Sequence, residues 1–257
     1  MEIIIAHLIC DFGALKACSL TCRSLYTAAA PHLHHTLTLT GYTPEIRRCR
    51  LKPLPKLHAL GLTHLVKALR LKQRFNGHWF MPQAFTSLDL RYFSALANVH
   101  TLKLQSLEIH RFIPGIERHF GHFSKTLRSI TLYDPCCTPR QLSYFLSLFS
   151  NLDDIGIRNT HAHRLAQTIP DTELVPFSPL KSRGRMALYN FTWVETWTYL
   201  IASSGGLWFR HMDLRMSTSC ASVLLGACGK TLESLRFGAM SGSASKQFLA
   251  AISAGLS

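Results

Sequence analysis

The sequence is short of charged residues, and acidic residues are the scarcest of them. Charged residues make up 16% of the 257 residues, and 14 acidic residues stand against 28 basic ones, giving a formal charge of +14. Few carboxylates are therefore available for acid–base catalysis. The positive excess favours an acidic partner, nucleic acid or an anionic membrane surface, and it carries no information about the fold.

The common catalytic motifs are also absent. The chain contains no G-x-S-x-G, no H-E-x-x-H and no glycine-rich phosphate-binding loop. The best ligand-like pair is His161 and His163, whose nearest acidic companions are Asp153 and Asp154. A surface turn is the preferred interpretation of that pair. We therefore expect a non-catalytic protein with no cofactor and no metal.

Long apolar runs are missing as well, and we expect no secretory signal. The longest apolar run, Ile3 to Cys10, is far short of the roughly 18–20 residues that span a bilayer. Glu2 stands where a signal peptide carries positive charge. We therefore expect no membrane contact. Most of the eight cysteines are expected to be reduced thiols in a cytoplasmic or nuclear protein.

What the sequence has repeatedly is one short pattern: apolar, two residues, apolar, one residue, apolar. Its copies include "VKALRL", "VHTLKL", "LRSITL", "LDDIGI", "FRHMDL" and "LESLRF", with weaker copies in "GRMALYNF" and "FTSLDL". The middle apolar residues recur every 23 to 33 residues at positions 69, 102, 130, 155, 186, 212 and 235. A leucine-rich repeat, with one strand and one helix, runs about 20–29 residues.

The segments between these strands have helical periodicity. The predicted buried helix positions are Leu142, Phe145, Leu146 and Phe149 after Pro139; Ile116, Phe120 and Phe123; Cys220, Val223, Leu224 and Ala227; and Phe248, Leu249 and Ile252. Stacked repeats of this kind bury one continuous core. Residues 36–257 are thus predicted to form an α/β solenoid of about six to eight short parallel strands with helices on the convex side.

Two further predictions depend on this pattern. Pro170, Pro176 and Pro179 predict a long loop at about 160–185, because proline disrupts both helix and sheet hydrogen bonding. The strand positions predicted to be buried are Leu102, Leu104, Ile130, Leu132, Ile155, Ile157, Met212, Leu214, Leu235 and Phe237.

Side chains alternate along a strand, so the remaining strand positions should face outward on the concave side. Basic residues outnumber the acidic Asp154 and Asp213 at these positions. The predicted partner-binding residues are Arg70, Lys72, Lys103, Arg158, Arg185, Arg215 and Arg236. Guanidinium groups on successive strands suit an acidic or phosphorylated segment of a target protein. The alternative is the ordinary solvated surface of a strongly basic protein.

The N-terminal region has a different character. In "LKACSLTCRSL", Leu15, Cys18, Cys22 and Leu25 recur along one side of a predicted helix that follows a break at residues 11–13 and stops at Pro31. Zinc binding by the two cysteines needs two more ligands, and the nearby histidines match no common zinc spacing. Packing of cysteine as a small apolar residue is the preferred interpretation.

This region resembles the F-box, a short helical module that docks on the Skp-type adaptor of SCF ubiquitin ligases. The resemblance lies in "MEIIIAHLI", "LKACSLTCRSL" and "APHLHHTLTL", and it extends to "FGHFSKTLRSITLYDPCCTPRQLSYFLSLFSNLDDIGIRN" and "GLWFRHMDL", which are similar to fungal, basidiomycete-type F-box/leucine-rich-repeat proteins. The family's Leu-Pro beginning is missing. Thr21 and Leu25 stand where the family usually has Val and Trp. The resemblance is therefore to a truncated F-box.

The resemblance implies a function and a domain organisation. Residues 1–35 would be the F-box-like module and the repeats would hold a target protein for ubiquitination. The implied adaptor-docking residues are Ile3, Leu15, Leu20 and Leu25, with internal packing as the alternative, above all for Leu15 and Leu25. The alternative function is a free-standing interaction solenoid with a degenerate F-box that binds nucleic acid through its basic face.

Overall fold

A computed structural model of the chain describes a large part of it. The described residues are 5, 7–41, 53–73, 92–107, 109, 112–113, 115–135, 137–158, 183–189, 198, 201, 207–215, 218–228 and 231–238. Within these ranges, no helix combines the length and the apolar character that a membrane crossing requires. Several sequence predictions lie outside the described residues, namely Ile3, the strand copy at Leu88 and Leu90, the His161–His163 pair, nearly all of the proline-rich segment, and the helix at Phe248, Leu249 and Ile252.

The described strands form one open α/β sheet. Eight strands pair in the order of the sequence, and every neighbouring pair is parallel. The strands are β1 Thr36–Gly41, β2 Ala68–Gln73, β3 Thr101–Gln105, β4 Ser129–Tyr133, β5 Asp154–Arg158, β6 Arg185–Tyr189, β7 His211–Arg215 and β8 Ser234–Phe237. The predicted parallel sheet of about six to eight strands is confirmed.

The repeated apolar positions lie in register across this sheet. The middle residues pair from strand to strand in the order Leu37, Leu69, Leu102, Ile130, Ile155, Met186, Met212 and Leu235. All but the last are buried in one core cluster. This row and the apolar row two residues further along each strand form the covered face of the sheet.

Helices and short turns of 3-10 helix occupy parts of the connections. The helices are α1 Phe12–Thr21, α2 Arg23–Leu33, α3 Pro53–Ala59, α4 Ile116–Phe120, α5 Pro139–Ser147 and α6 Thr218–Cys228. From α3 onward, their buried apolar side chains belong to the same core cluster as the strand residues of the covered face. The apolar faces of helices and sheet are therefore buried together.

Helix α5 begins where the sequence predicts. Thr138 and Gln141 form a reciprocal capping box, with Pro139 in the first turn, where its missing N–H costs no helical hydrogen bond. Leu142 and Phe145 are buried, as are Leu146 and Phe149. The rings of Phe145 and Phe149 meet edge to face with centroids 5.3 Å apart. The predicted inner face of this helix is confirmed.

Two predictions near the end of the sheet are wrong in detail. Among the described side chains of α6, Ala221, Leu224 and Cys228 are buried and Ala227 is partly buried, while Val223 is exposed. Leu224 and Ala227 were predicted to be buried, and the side chain of Cys220 lies outside the described residues. The helix presents its i, i+3 and i+7 positions to the sheet, a face rotated from the predicted one. Leu235 and Phe237 are only partly buried. Their strand β8 pairs with β7 alone among the described strands.

The N-terminal helices differ from the predicted single helix. Cys22 is extended, with φ of −157° and ψ of 163°, so α1 ends at Thr21 and α2 begins at Arg23. Helix α2 also continues through Pro31 to Leu33. A proline this close to a helix end removes a single backbone bond. The last turn is closed by the His34 N–H, which donates to Ala30 O at 3.0 Å.

Helices α1 and α2 pack mainly on each other. Ile5, Leu15 and Ala29 form a small buried cluster that is separate from the core of the sheet. Leu8, Cys18, Leu25, Ala28 and Leu33 are partly buried around it. We refer to residues 5 and 7–35 with this cluster as the helical pair.

Candidate functional site

The face of the sheet opposite the covered face, here the open face, carries the predicted basic residues. Arg70, Lys103 and Arg236 lie in a central row with Thr38, Thr131, Gly156, Ala187 and Asp213. Lys72, Arg158 and Arg215 lie in the next row with Thr40, Gln105, Tyr133 and Tyr189, and Arg185 lies in the row before the central one. The structure thus brings all seven predicted partner-binding residues onto one face.

The β2–β3 side and the β4–β7 side of the open face differ. On the β2–β3 side, Arg70 is partly buried and donates to Gln105 Oε1 at 3.2 Å, while Lys103 is exposed. On the β4–β7 side, the open face is indented by a cleft of about 450 Å³. Side chains that line it are Ser129, Thr131, Tyr133, Asp154, Arg158, Arg185, Ala187, Tyr189 and Arg215.

The depth of the cleft comes from small residues in the central row. Thr131, Gly156 and Ala187 are neighbours on β4, β5 and β6. A Cβ atom at Gly156 would lie 3.3 Å from Thr131 Cγ2, so even an alanine there would press on its neighbour. The larger side chains of the two flanking rows therefore stand around a floor with little side-chain volume.

Asp213 is the acidic centre beside this cleft and is 4% exposed. Tyr189 donates its hydroxyl to Asp213 Oδ2 at 2.8 Å, and Arg185 NH2 donates to the same oxygen at 3.4 Å. Arg215 Nε lies 3.9 Å from Oδ1. The hydrogen bond to Asp213 raises the pKa of the Tyr189 phenol above its usual value, and burial adds to the effect. Tyr189 therefore remains a protonated donor at neutral pH.

Tyrosine and arginine alternate along the row that borders the cleft. The register places Tyr133, Arg158, Tyr189 and Arg215 side by side on β4 to β7. The Arg215 guanidinium carbon lies 5.0 Å from the centroid of the Tyr189 ring, within cation–π distance. Arg215 is thus held by both Asp213 and Tyr189. Arg158 is exposed and forms no ion pair with a described residue.

Sequence reasoning treated Asp213 as one outward acidic residue and missed its role. Asp213 is paired in register with Ala187, so it lies diagonal to both Arg185 and Tyr189. The repeat pattern could have predicted this pairing. Met186 and Met212 are both middle apolar residues of the pattern, so the residues that follow them, Ala187 and Asp213, should be neighbours on adjacent strands. The burial of the carboxylate depends on the three side chains that close over it.

The predicted adaptor-docking residues separate into two groups. Leu15 is 1% exposed and Leu25 packs against the same cluster, which is the internal packing weighed for both. Leu20 is 79% exposed, on the last turn of α1. Phe12, which the sequence did not single out, is 62% exposed at the start of the same helix. Ile9 and Tyr26 are further exposed apolar side chains of the helical pair.

Cys18 and Cys22 of the helical pair have different environments. Cys18 is partly buried against the cluster, whereas Cys22 is exposed between α1 and α2. Across the described part of the chain, no group of three or more His, Cys, Asp or Glu side chains is arranged to hold a metal ion. The packing of Cys18 follows the preferred interpretation, and Cys22 does not share that packing.

Comparison with known proteins adds no identification. No model of a protein family matches the chain, and no curated protein sequence matches it. Function must therefore be inferred from the residues and from their geometry.

Proposed function

We propose that the chain is a non-catalytic, substrate-recruiting F-box subunit of an SCF-type ubiquitin ligase that acts in the cytoplasm or nucleus. In this proposal the helical pair docks on the Skp-type adaptor, and the sheet is an irregular leucine-rich-repeat solenoid that holds a target protein. The observation that carries the proposal is the division of surfaces. The helical pair exposes large apolar side chains, while the open face of the sheet exposes cations around a cleft.

The exposed apolar residues support the docking half of the proposal. Leu20 and Phe12 are both more than half exposed, although they lie on a helix whose other side is buried. Burying exposed apolar side chains against a partner is favourable because it removes apolar surface from water. Leu20 is therefore retained as a docking residue, and Phe12 joins it.

The open face supports the target-binding half. A sheet that presents Arg, Lys and Tyr side chains in rows offers bidentate donors and aromatic surface to an extended segment. Interfaces are enriched in arginine and tyrosine for these reasons. The basic character of the face favours an acidic target protein.

The docking half is tested by co-purification. Tagged protein is mixed with a fungal Skp-type adaptor, and the retained adaptor is quantified for the wild type, Leu20→Asp and Leu60→Asp. Leu60 is the matched control because it is also an exposed leucine, at 58%, but lies beyond the helical pair. We expect adaptor retention to be lost only with Leu20→Asp, with circular dichroism unchanged in both variants. A wild-type protein that retains no adaptor would remove the ligase role.

The second candidate is a free-standing solenoid that binds single-stranded nucleic acid. The alternating Tyr–Arg row favours it, because aromatic rings and cations together bind bases and phosphates. The covering of Tyr189 by Arg215 and the carboxylates of Asp154 and Asp213 oppose it. Binding of an unstructured oligonucleotide at physiological salt, together with no adaptor retention, would select this candidate.

A further inference from the structure

We propose that the cleft between β4 and β7 is a binding site for one carboxylate side chain, that of a Glu or Asp in an extended segment of the partner protein. Arg158 is the residue that holds the carboxylate, and Tyr133 and Tyr189 flank it. This inference rests on the proposed function insofar as the open face receives the target. It goes further by locating the contact and by choosing a carboxylate over a phosphate.

Arg158 is singled out because it has no ion-pair partner among the described residues. Of the three arginines at the cleft, Arg185 and Arg215 are oriented by Asp213, at 3.4 Å and 3.9 Å. The Arg158 side chain is exposed and has no ion pair within the described residues. Its guanidinium fork is available to a ligand, and such a fork matches the two oxygens of a carboxylate.

The balance of charge at the cleft favours a monoanion. Arg158, Arg185 and Arg215 stand against Asp154, which lines the cleft, and Asp213 beside it. Counted over the described residues, three guanidinium groups and two carboxylates leave one positive charge uncompensated. A Glu or Asp side chain neutralises that charge. A phosphate monoester carries about −1.5 to −2 at neutral pH and would leave negative charge near Asp154 and Asp213.

The shape of the cleft also fits a side chain inserted from above. The floor of Thr131, Gly156 and Ala187 leaves room in a cleft of about 450 Å³. Tyr133 and Tyr189 occupy the register positions on either side of Arg158, and adjacent strands lie about 4.8 Å apart. Their rings can cover the methylene groups of a glutamate. Tyr189 is already fixed by its 2.8 Å bond to Asp213, so this side chain needs little further ordering on binding.

The test uses capped peptide libraries and the full-length protein. Three libraries of acetylated, amidated heptapeptides have randomised flanks and a central residue fixed as Glu, Gln or phosphoserine. Retention on immobilised protein is quantified by mass spectrometry. We expect the Glu library to be retained about tenfold more than the Gln library, because only the carboxylate makes a charge-assisted hydrogen bond with the Arg158 guanidinium. Phosphoserine should not exceed Glu.

Arg158→Gln should abolish the preference for Glu over Gln, and Arg118→Gln should retain it. Arg118 is the matched control because it is an exposed arginine on α4 and does not line the cleft. The wild type supplies a second readout that needs no variant: rising sodium chloride should reduce retention of the Glu library more than that of the Gln library.

Three results would overturn the inference: equal retention of Glu and Gln, a Glu preference that survives in Arg158→Gln, or a phosphoserine library retained above the Glu library. A target captured by the open face without any Glu preference would keep the proposed function and remove this site. Failure of adaptor docking alone would remove the ligase role and leave the carboxylate site in place.

Discussion

The two faces of the sheet are made from alternate residues of the same strands, yet they obey different constraints. On the covered face, Leu, Ile and Met occupy register positions from β1 to β7 and are buried in one cluster. On the open face, the central row passes from Thr and Arg through Lys, Gly and Ala to Asp. Packing restricts the first face to apolar residues of similar size. Packing places no such restriction on the second face.

The largest expected effect comes from removing a side chain of the covered face. Leu132 is fully buried between Leu104 and Ile157 in register. Leu132→Ala should reduce the free energy of unfolding by about 2–5 kcal/mol, because the sheet and helices cannot close over the cavity. Urea unfolding measures this. Leu20→Ala, an exposed leucine, is the control and should change it by less than about 0.5 kcal/mol. Similar values for the two variants would contradict the assigned register.

The covered face was predictable from the sequence because periodicity and burial carry the same information. Each middle apolar residue from Leu69 to Met212 reappears in register as predicted. The apolar pattern gave wrong predictions where side-chain burial or backbone conformation is set by something other than the spacing of apolar residues. Val223 lies on a helix whose rotation depends on tertiary packing, and the break at Cys22 is a local backbone conformation that an apolar pattern does not encode.

The open face was predicted only as a set of cations. Alternation places Arg158, Arg185 and Arg215 outward, which is where they lie. Alternation does not say that Asp213 is buried beneath Arg185 and Tyr189, since that depends on rotamers of side chains from two strands. Strand alternation therefore does not predict which arginines of this face form ion pairs with Asp213.

A partly buried hydrogen bond of the open face should have the next largest effect at neutral pH. Tyr189→Phe removes the donor to the carboxylate of Asp213 and should reduce the free energy of unfolding by about 1–2 kcal/mol. Tyr133→Phe is the control, because Tyr133 lies in the same row and its hydroxyl makes no hydrogen bond to a described residue. Equal stability of the two variants would show that the Tyr189–Asp213 bond contributes nothing to the sheet.

The partly buried His122 should make the free energy of unfolding depend on pH. Burial lowers the pKa of His122 from 6.5 to about 4, and its ring lies 3.8 Å from the Phe123 ring by centroid. Below pH 6.5 the unfolded chain takes up a proton that the folded chain does not, until about pH 4. Stability is therefore lost as the pH falls across this window, by up to roughly 1 kcal/mol per pH unit.

The contribution of His122 to this pH dependence is measured by comparing the wild type with a variant that lacks the imidazole. His122→Phe keeps an aromatic ring and removes the titration, so its unfolding free energy should fall less steeply between pH 6.5 and pH 4 than that of the wild type. His32→Phe, at an exposed position of α2, serves as the control and should keep the wild-type slope. Parallel curves for His122→Phe and the wild type would show that His122 titrates alike in both states.

The smallest expected effect belongs to an exposed cation of the open face, and it separates stability from binding most clearly. Lys103 is exposed on β3 between Arg70 and Thr131 in register, so the like charge of Arg70 is its nearest charged neighbour in the central row. Lys103→Ala removes that repulsion and loses no ion pair with a described residue. The free energy of unfolding should stay within about 0.5 kcal/mol of the wild type by urea denaturation. A loss of more than about 1 kcal/mol would mean that cations of this face stabilise the sheet itself, and the contrast between the two faces would then disappear.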